Sequence, residues 1–201
     1  MELILIRHAE PVKIVDATGP ADPPLADRGT AQAERMADWL ATEVIDGVWS
    51  SPMRRAQETA APLSDRLGIE IVVDHELAEY DRDATSYIPI EELKAAKDER
   101  WLAMVEGNFE SETGVDPKDF QAGVVRAIDH IASGNPGSRV AVVCHGGVIN
   151  AYVGHVLGIE RVLWFEPRYT SVTRVMASRH GDRTLVSLNE TAHLRGSDLL
   201  A

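Results

Sequence analysis

Leu3 to Ile6 is an unbroken apolar run, the pattern of a strand buried on both faces. It ends on two polar neighbours, Arg7 and His8, and a loop rich in Pro, Gly and Asp follows from Asp16 to Pro24. The period then changes. In ADRGTAQAERMADWLATEV the residues Ala33, Met36, Ala37, Leu40, Ala41 and Val44 recur at helical spacing, with Asp27 placed to cap the start. Val48 to Ser51 predicts a second strand. Pro52 suits the first turn of a helix that runs toward Leu67 and stops at Gly68, and Glu70 to Val73 predicts a third strand.

The stretch from Ala78 to Thr113 breaks this rhythm. It is charged, carries Pro89 and predicts one helix from about Ile90 to Val105, so it reads as a helical excursion or lid over the sheet, at about 78–115. Asp116-Pro117 then opens a helix with Phe120, Val124, Ala127, Ile128 and Ile131 on one face. SGNPGS is a turn and Arg139 to Cys144 a central strand. His145-Gly146-Gly147 leads into a helix that buries Val148, Ile149, Tyr152, Val153, Val156 and Leu157 and closes at Gly158. Thr170 to Ser178 and Thr184 to Leu188 form a late hairpin around His180-Gly181-Asp182. Strands and helices alternate through most of the chain, which predicts an α/β sandwich with a mostly parallel sheet; ligands in such sheets bind beyond the carboxyl ends of the strands.

The 201 residues, 44% apolar and 26% charged, suit one domain over 1–201 with a sizeable core. No stretch is long enough to span a bilayer, and the first apolar run is too short for a signal peptide, so the cytoplasm is the expected compartment and no membrane partner is expected. The single cysteine, Cys144, rules out an internal disulfide. A net charge of −12 lacks the basic footprint of nucleic-acid binding. It makes any basic cluster local and informative, and Arg7, Arg54 and Arg55 are candidates.

Polar residues cluster where strands end. The first strand ends in Arg7-His8, the second in Ser50-Ser51-Pro52 with Arg54-Arg55 in the next turn, and the strand before the last long helix in Cys144-His145-Gly146-Gly147. ELAEYD, after the third strand, brings Glu79 toward the same edge. Two histidines and two arginines at one edge suit phosphoryl transfer. A neutral imidazole attacks phosphorus, guanidinium groups grip phosphoryl oxygens and balance their charge, the second histidine donates to the same oxygens, and a nearby carboxyl handles the proton. Gly146 and Gly147 add backbone donors at a helix N-terminus. The arginines supply the positive charge, so neither metal nor cofactor is expected, and the expected partner is a small phosphorylated substrate.

These stretches resemble the histidine phosphatase superfamily, whose fold is phosphoglycerate mutase-like. LILIRHAEP resembles its RHG signature, PLADRGTAQA its P-L-T-x-x-G-x-x-Q-A and SSPMRRAQETA its S-S-P-x-x-R-A-x-x-T-A. ELAEYD falls where the family has L-x-E, and VVCHGGVI is similar to its V-x-H-G-G; the order is the same. The resemblance implies a three-layer α/β/α sandwich. It implies His8 as nucleophile, Arg7, Arg55, His145 and Gly146 as phosphate-binding groups with His145 also catalytic, and Glu79 as acid and base among the carboxylates Glu76, Asp81 and Asp83. Arg55 rather than Arg54 matches, because it directly precedes the Ala of R-A-x-x-T. The activity implied is that of a metal-independent, histidine acid phosphatase-type phosphomonoesterase.

Three departures from the pattern matter. Ala9 replaces the usual glycine, which is tolerable only at negative φ. Ala26 stands where Thr or Ser usually caps a helix, leaving Asp27 for that role. Ala9-Glu10-Pro11-Val12-Lys13-Ile14 lacks the phosphate-contacting polar side chains of the mutases, which favours a phosphatase over the alternative, a phosphoglycerate mutase. A mutase must also grip a second anionic group, and the excursion offers only Arg82, Lys94, Lys97 and Arg100 among many acids. A catalytically weak protein that binds a phosphorylated ligand ranks last, because none of Arg7, His8, Arg55 and His145 is lost. Cys144 lacks the arginine of a Cys-x5-Arg phosphatase loop, since Asn150 stands there, and reads as a buried strand residue. The remaining histidines lack metal spacing. Trp101, Met104 and Phe109 read as packing residues that would set substrate choice if they cover the site. A homodimer is the common state of soluble enzymes, with the late hairpin as an available edge.

Overall fold

A computed structural model of the chain describes residues 1–106, 108–161 and 163–200. Its elements in chain order are β1 (Glu2–Arg7), α1 (Asp27–Leu40), β2 (Gly47–Ser50), α2 (Arg54–Leu67), β3 (Ile71–Val73), α3 (Ile90–Ala96), α4 (Glu99–Glu106), α5 (Phe109–Thr113), α6 (Pro117–Gly134), β4 (Arg139–Cys144), α7 (Gly146–Leu157), β5 (Val172–Ala177) and β6 (Arg183–Glu190). The strands form one sheet in the order β3-β2-β4-β1-β5-β6. β3, β2, β4 and β1 are parallel, β5 returns antiparallel to β1, and β6 pairs antiparallel with β5.

Alternation along the central strands builds the layers. Leu3, Leu5, Val140, Val142 and Cys144 pack with Val124, Ile128 and Ile131 of α6 and Val148, Ile149, Tyr152 and Val153 of α7. Ile4, Ile6, Ala141 and Val143 point the other way, onto Met36, Ala37 and Leu40 of α1 and Ala56, Ala60 and Leu63 of α2. The fold is therefore a three-layer α/β/α sandwich with a mostly parallel sheet. β1 and β4 are buried on both faces, which is why they read as continuous apolar runs. Gly68 and Gly158 end α2 and α7 in the left-handed conformation, φ 66° and 70°. Among the described residues no helix is long and apolar enough to cross a membrane.

Several expected boundaries move. α1 stops at Leu40 and Val44 is exposed, because the chain turns off to reach β2. Ala26, not Asp27, is the cap residue and makes no side-chain cap; Asp27 is the first helical residue, where its charge favours the helix dipole. Pro52 precedes α2, whose cap position is Met53. The expected single helix from Ile90 to Val105 is broken in two at Lys97, which adopts φ 52°, and α5 follows as a third short helix.

The excursion is fastened to the body at several points. Ile14 and Tyr87 form a backbone bridge. Tyr80, Phe109 and Phe120 pack edge to face and tilted, with centroids 4.9 to 6.5 Å apart. Lys94 of α3 pairs with Glu166.

Candidate active site

Register places the two histidines together. Arg7 is opposite Cys144, so His8 and His145 leave β1 and β4 side by side, and the His8 N–H donates to the Cys144 carbonyl at 2.9 Å. Their rings lie 5.1 Å apart. Ser51 leaves β2 at the same edge, its N–H donating to the Val143 carbonyl at 3.0 Å.

His8 is almost completely buried. Its Nδ1 lies 2.7 Å from the Ala9 carbonyl, which can only accept, so Nδ1 carries the proton and Nε2 keeps its lone pair. Burial first, then the charges of Arg55 and Arg7, holds this imidazole well below its usual range and hence neutral. Ala9 is absent from the residues with positive φ, so the alanine that replaces glycine is unstrained. Its N–H donates to Thr59 Oγ1 at 2.9 Å.

The guanidinium groups are buried and only partly satisfied. Arg7 Nη1 donates to Glu91 Oε1 and to the Pro167 carbonyl, both at 2.6 Å, and the group stacks on Tyr169 at 4.1 Å. Arg55 Nη2 donates to Asp81 Oδ1 at 2.8 Å, and the group lies over Tyr87. Arg7 Nε, Arg55 Nε, Arg55 Nη1 and His145 Nδ1 are buried without a protein partner. Buried donors are normally paired, so these groups suit an acceptor supplied from outside the chain. Arg54, one position earlier on α2, is exposed and pairs with Glu58.

His145 is fully buried and occupies the cap position of α7. Its Nε2 is 2.7 Å from Ser51 Oγ; a proton donated by that hydroxyl puts the ring proton on Nδ1, the unpartnered atom. Burial, with the charges of Arg55, His8 and Arg7, lowers its pKa well below the usual range. Glu79 Oε2 accepts from Gly147 N at 2.7 Å. Burial and the neighbouring Asp81 charge push its carboxyl up to about 7, against the Gly147 N–H and Arg55, which pull it down. A Cβ on Gly147 would overlap that carboxylate, so the position requires glycine.

These groups meet at a cavity of about 300 Å³. Arg7, His8, Arg55, Glu79 and Gly146 line its floor, and His145 lies beneath it against His8. Gly146 and Gly147 both line the cavity, and the Gly147 N–H is taken by Glu79. Of the carboxylates around Glu79, Asp81 binds Arg55, Glu76 pairs with Arg126 away from the cavity, and Asp83 is exposed beside Arg82.

Residues 3–191 match the model of the histidine phosphatase superfamily, branch 1. The chain belongs to this superfamily. It is 26% identical over 199 residues to phosphoserine phosphatase 1 of Hydrogenobacter thermophilus, covering 96% of this chain and 94% of that one. It is 28% identical over 157 residues to phosphoglycerate mutase-like protein 4 of Arabidopsis thaliana, covering 75% of this chain and 68% of the other. Among solved structures it resembles a mutant phosphoserine phosphatase of Entamoeba histolytica in complex with phosphoserine, with a TM-score of 0.76, 25% identity and coverage of 96% and 98%.

The superfamily motifs acquire physical reasons here. The glycine of PLADRG is Gly29, where a Cβ would overlap the Glu10 carbonyl. The glutamine is Gln32, whose Oε1 accepts from Glu10 N at 3.0 Å and so holds the loop after His8. The threonine of RAQETA is Thr59, which accepts from Ala9 and donates to the Arg55 carbonyl at 2.7 Å, tying the loop after His8 to the helix that carries Arg55. The sequence reading missed Glu91, Tyr169 and Asn150. Asn150 Oδ1 accepts from the N–H groups of Trp164 and Phe165, at 2.9 and 3.1 Å, and so fixes the segment at the cavity wall. Its position in an apolar helix is the one signal that pointed to it. Tyr169 and Glu91 lie outside the five motifs read from the sequence and carry none.

Proposed function

We propose that this superfamily member is a metal-independent, histidine acid phosphatase-type phosphomonoesterase that works through a phosphohistidine at His8. The observation that carries the reading is the set of buried, unpartnered donors on Arg7, Arg55 and His145 beside a neutral His8 whose Nε2 is free to attack. A phosphoryl group supplies the acceptors these donors lack, and guanidinium donors strengthen as charge develops on its oxygens. In the first step a His8 Nε2–P bond forms and the P–O ester bond breaks, and protonated Glu79 gives its proton to the departing alcohol. In the second step Glu79, now charged, takes a proton from water as the water oxygen bonds to phosphorus. The N–P bond then breaks, releasing inorganic phosphate. The about-neutral pKa of Glu79 suits both steps.

A mutase must also anchor a second anionic group. Of the excursion cations Arg82, Lys94, Lys97 and Arg100, only Lys94 lines the cavity, and it is paired with Glu166; outside the excursion Arg161 also lines it. This favours the phosphatase, as do the phosphatase names among the relatives. The test is hydrolysis of p-nitrophenyl phosphate with EDTA present. Wild type is expected to turn over and His8→Ala to lose at least about 10³-fold in kcat. Activity retained by His8→Ala overturns the reading.

A further inference from the structure

The cavity changes chemistry with depth. Above its charged floor, the walls are apolar: Leu93 of α3, Trp101 and Met104 of α4, and Leu163 and Trp164 beyond α7. α3 and α4, separated by the left-handed Lys97, both contribute to the lining. Trp164 is held there by its N–H and Nε1 hydrogen bonds to Asn150 and by packing on Phe165 at 4.5 Å. Besides the floor residues, the charged groups in the lining are Asp81, which binds Arg55, Lys94 and Glu166, which neutralise each other, and Arg161. A small, highly polar alcohol such as serine or glycerate would leave these walls wetted, whereas an apolar body would displace that water at a gain.

We infer that the substrate is a phosphomonoester of an apolar alcohol. Its phosphoryl group rests on Arg7, His8 and Arg55, and its hydrocarbon body lies along Leu93, Trp101, Met104 and Trp164. The inference rests on the phosphatase reading above and specifies what that reading leaves open. Trp101 and Met104 are then specificity residues rather than packing residues, while Phe109 serves packing against Tyr80 and Phe120.

The experiment is a series of n-alkyl phosphates from ethyl to octyl, below their micellar concentrations, together with phosphoserine and 3-phosphoglycerate. The alcohols released have similar basicity, so chain length reports binding to the walls. kcat/KM is expected to rise at least about twofold per methylene, half the factor for full burial and at least about 60-fold across the series, with phosphoserine and 3-phosphoglycerate no better than ethyl phosphate. Trp101→Ala, a half-buried wall position, is expected to reduce the octyl-to-ethyl ratio at least fivefold. A flat series with His8-dependent turnover, or preference for phosphoserine over octyl phosphate, overturns this inference and leaves the phosphatase reading standing. No turnover with any of these esters or with p-nitrophenyl phosphate removes both.

Discussion

Glu79 carries the sharpest expectation at the scale of a residue. Burial beside Asp81 pushes its carboxyl up to about 7, so if Glu79 is the proton donor proposed above, the donor form is present below that pH and lost above it. His8 stays neutral across the same range because its own pKa is depressed. kcat for an alkyl phosphate is therefore expected to fall as pH rises through about 7. Glu79→Gln should remove that limb and slow the reaction about 10²- to 10⁴-fold, much less for p-nitrophenyl phosphate, whose leaving group needs no proton. Stability runs the other way. The folded pKa lies above the usual 4.5, so ionised Glu79 costs stability that grows with pH from about 4.5 to about 7 and is constant beyond. At pH 8 the glutamine variant is expected to be more stable than wild type by an amount on the order of 3 kcal/mol, and near pH 4 equal to it, as denaturant titrations would report. Equal stability at both pH values would mean that the carboxyl is not held up by burial.

At the scale of elements, what was legible in the sequence is what local periodicity controls. The strand ends placed His8, Ser51 and His145 at one edge because each apolar run stops where the sheet stops. One helical step decides between Arg54 and Arg55: the two point about 100° apart on α2, and only the second faces the cavity. The break at Lys97 was not legible, because both halves have helical composition and a left-handed lysine follows from how α3 and α4 pack. Tyr169 was not legible either: it reaches Arg7 because β5 runs antiparallel to β1, so the residues entering β5 meet those leaving β1. Close approaches between elements give a test. Gly147→Ala forces Glu79 aside and is expected to lower kcat about as much as Glu79→Gln. Gly29→Ala meets a backbone oxygen instead and is expected to destabilise by about 1–3 kcal/mol, read as a lower Tm. A Gly147→Ala enzyme with normal kcat would show that Glu79 need not sit where it does.

For the whole molecule, a segment that lines the cavity is tied to the cavity's floor. Glu91 of α3 binds Arg7 and accepts from the Tyr169 hydroxyl at 3.0 Å. A ligand that satisfies the floor donors stabilises the folded state by mass action. Inorganic phosphate at a hundredfold excess over its Kd should add about 2.7 kcal/mol, about 5–10 °C in Tm for a chain of this size. Arg55→Met should abolish that shift; a shift that survives would place the anion elsewhere.

β1 also has a history in time. Its parallel partner begins 137 residues later, with Glu2 beside Arg139, and its antiparallel partner comes later still, ending beside Met1. The strand that leads to His8 is therefore made before its partners and stays apolar and unpaired until β4 and β5 have emerged. Docking of β1 is expected among the last events of folding, slow because its contacts are so distant along the chain. In that interval LILI, more than any surface strand, is the segment a chaperone has to guard.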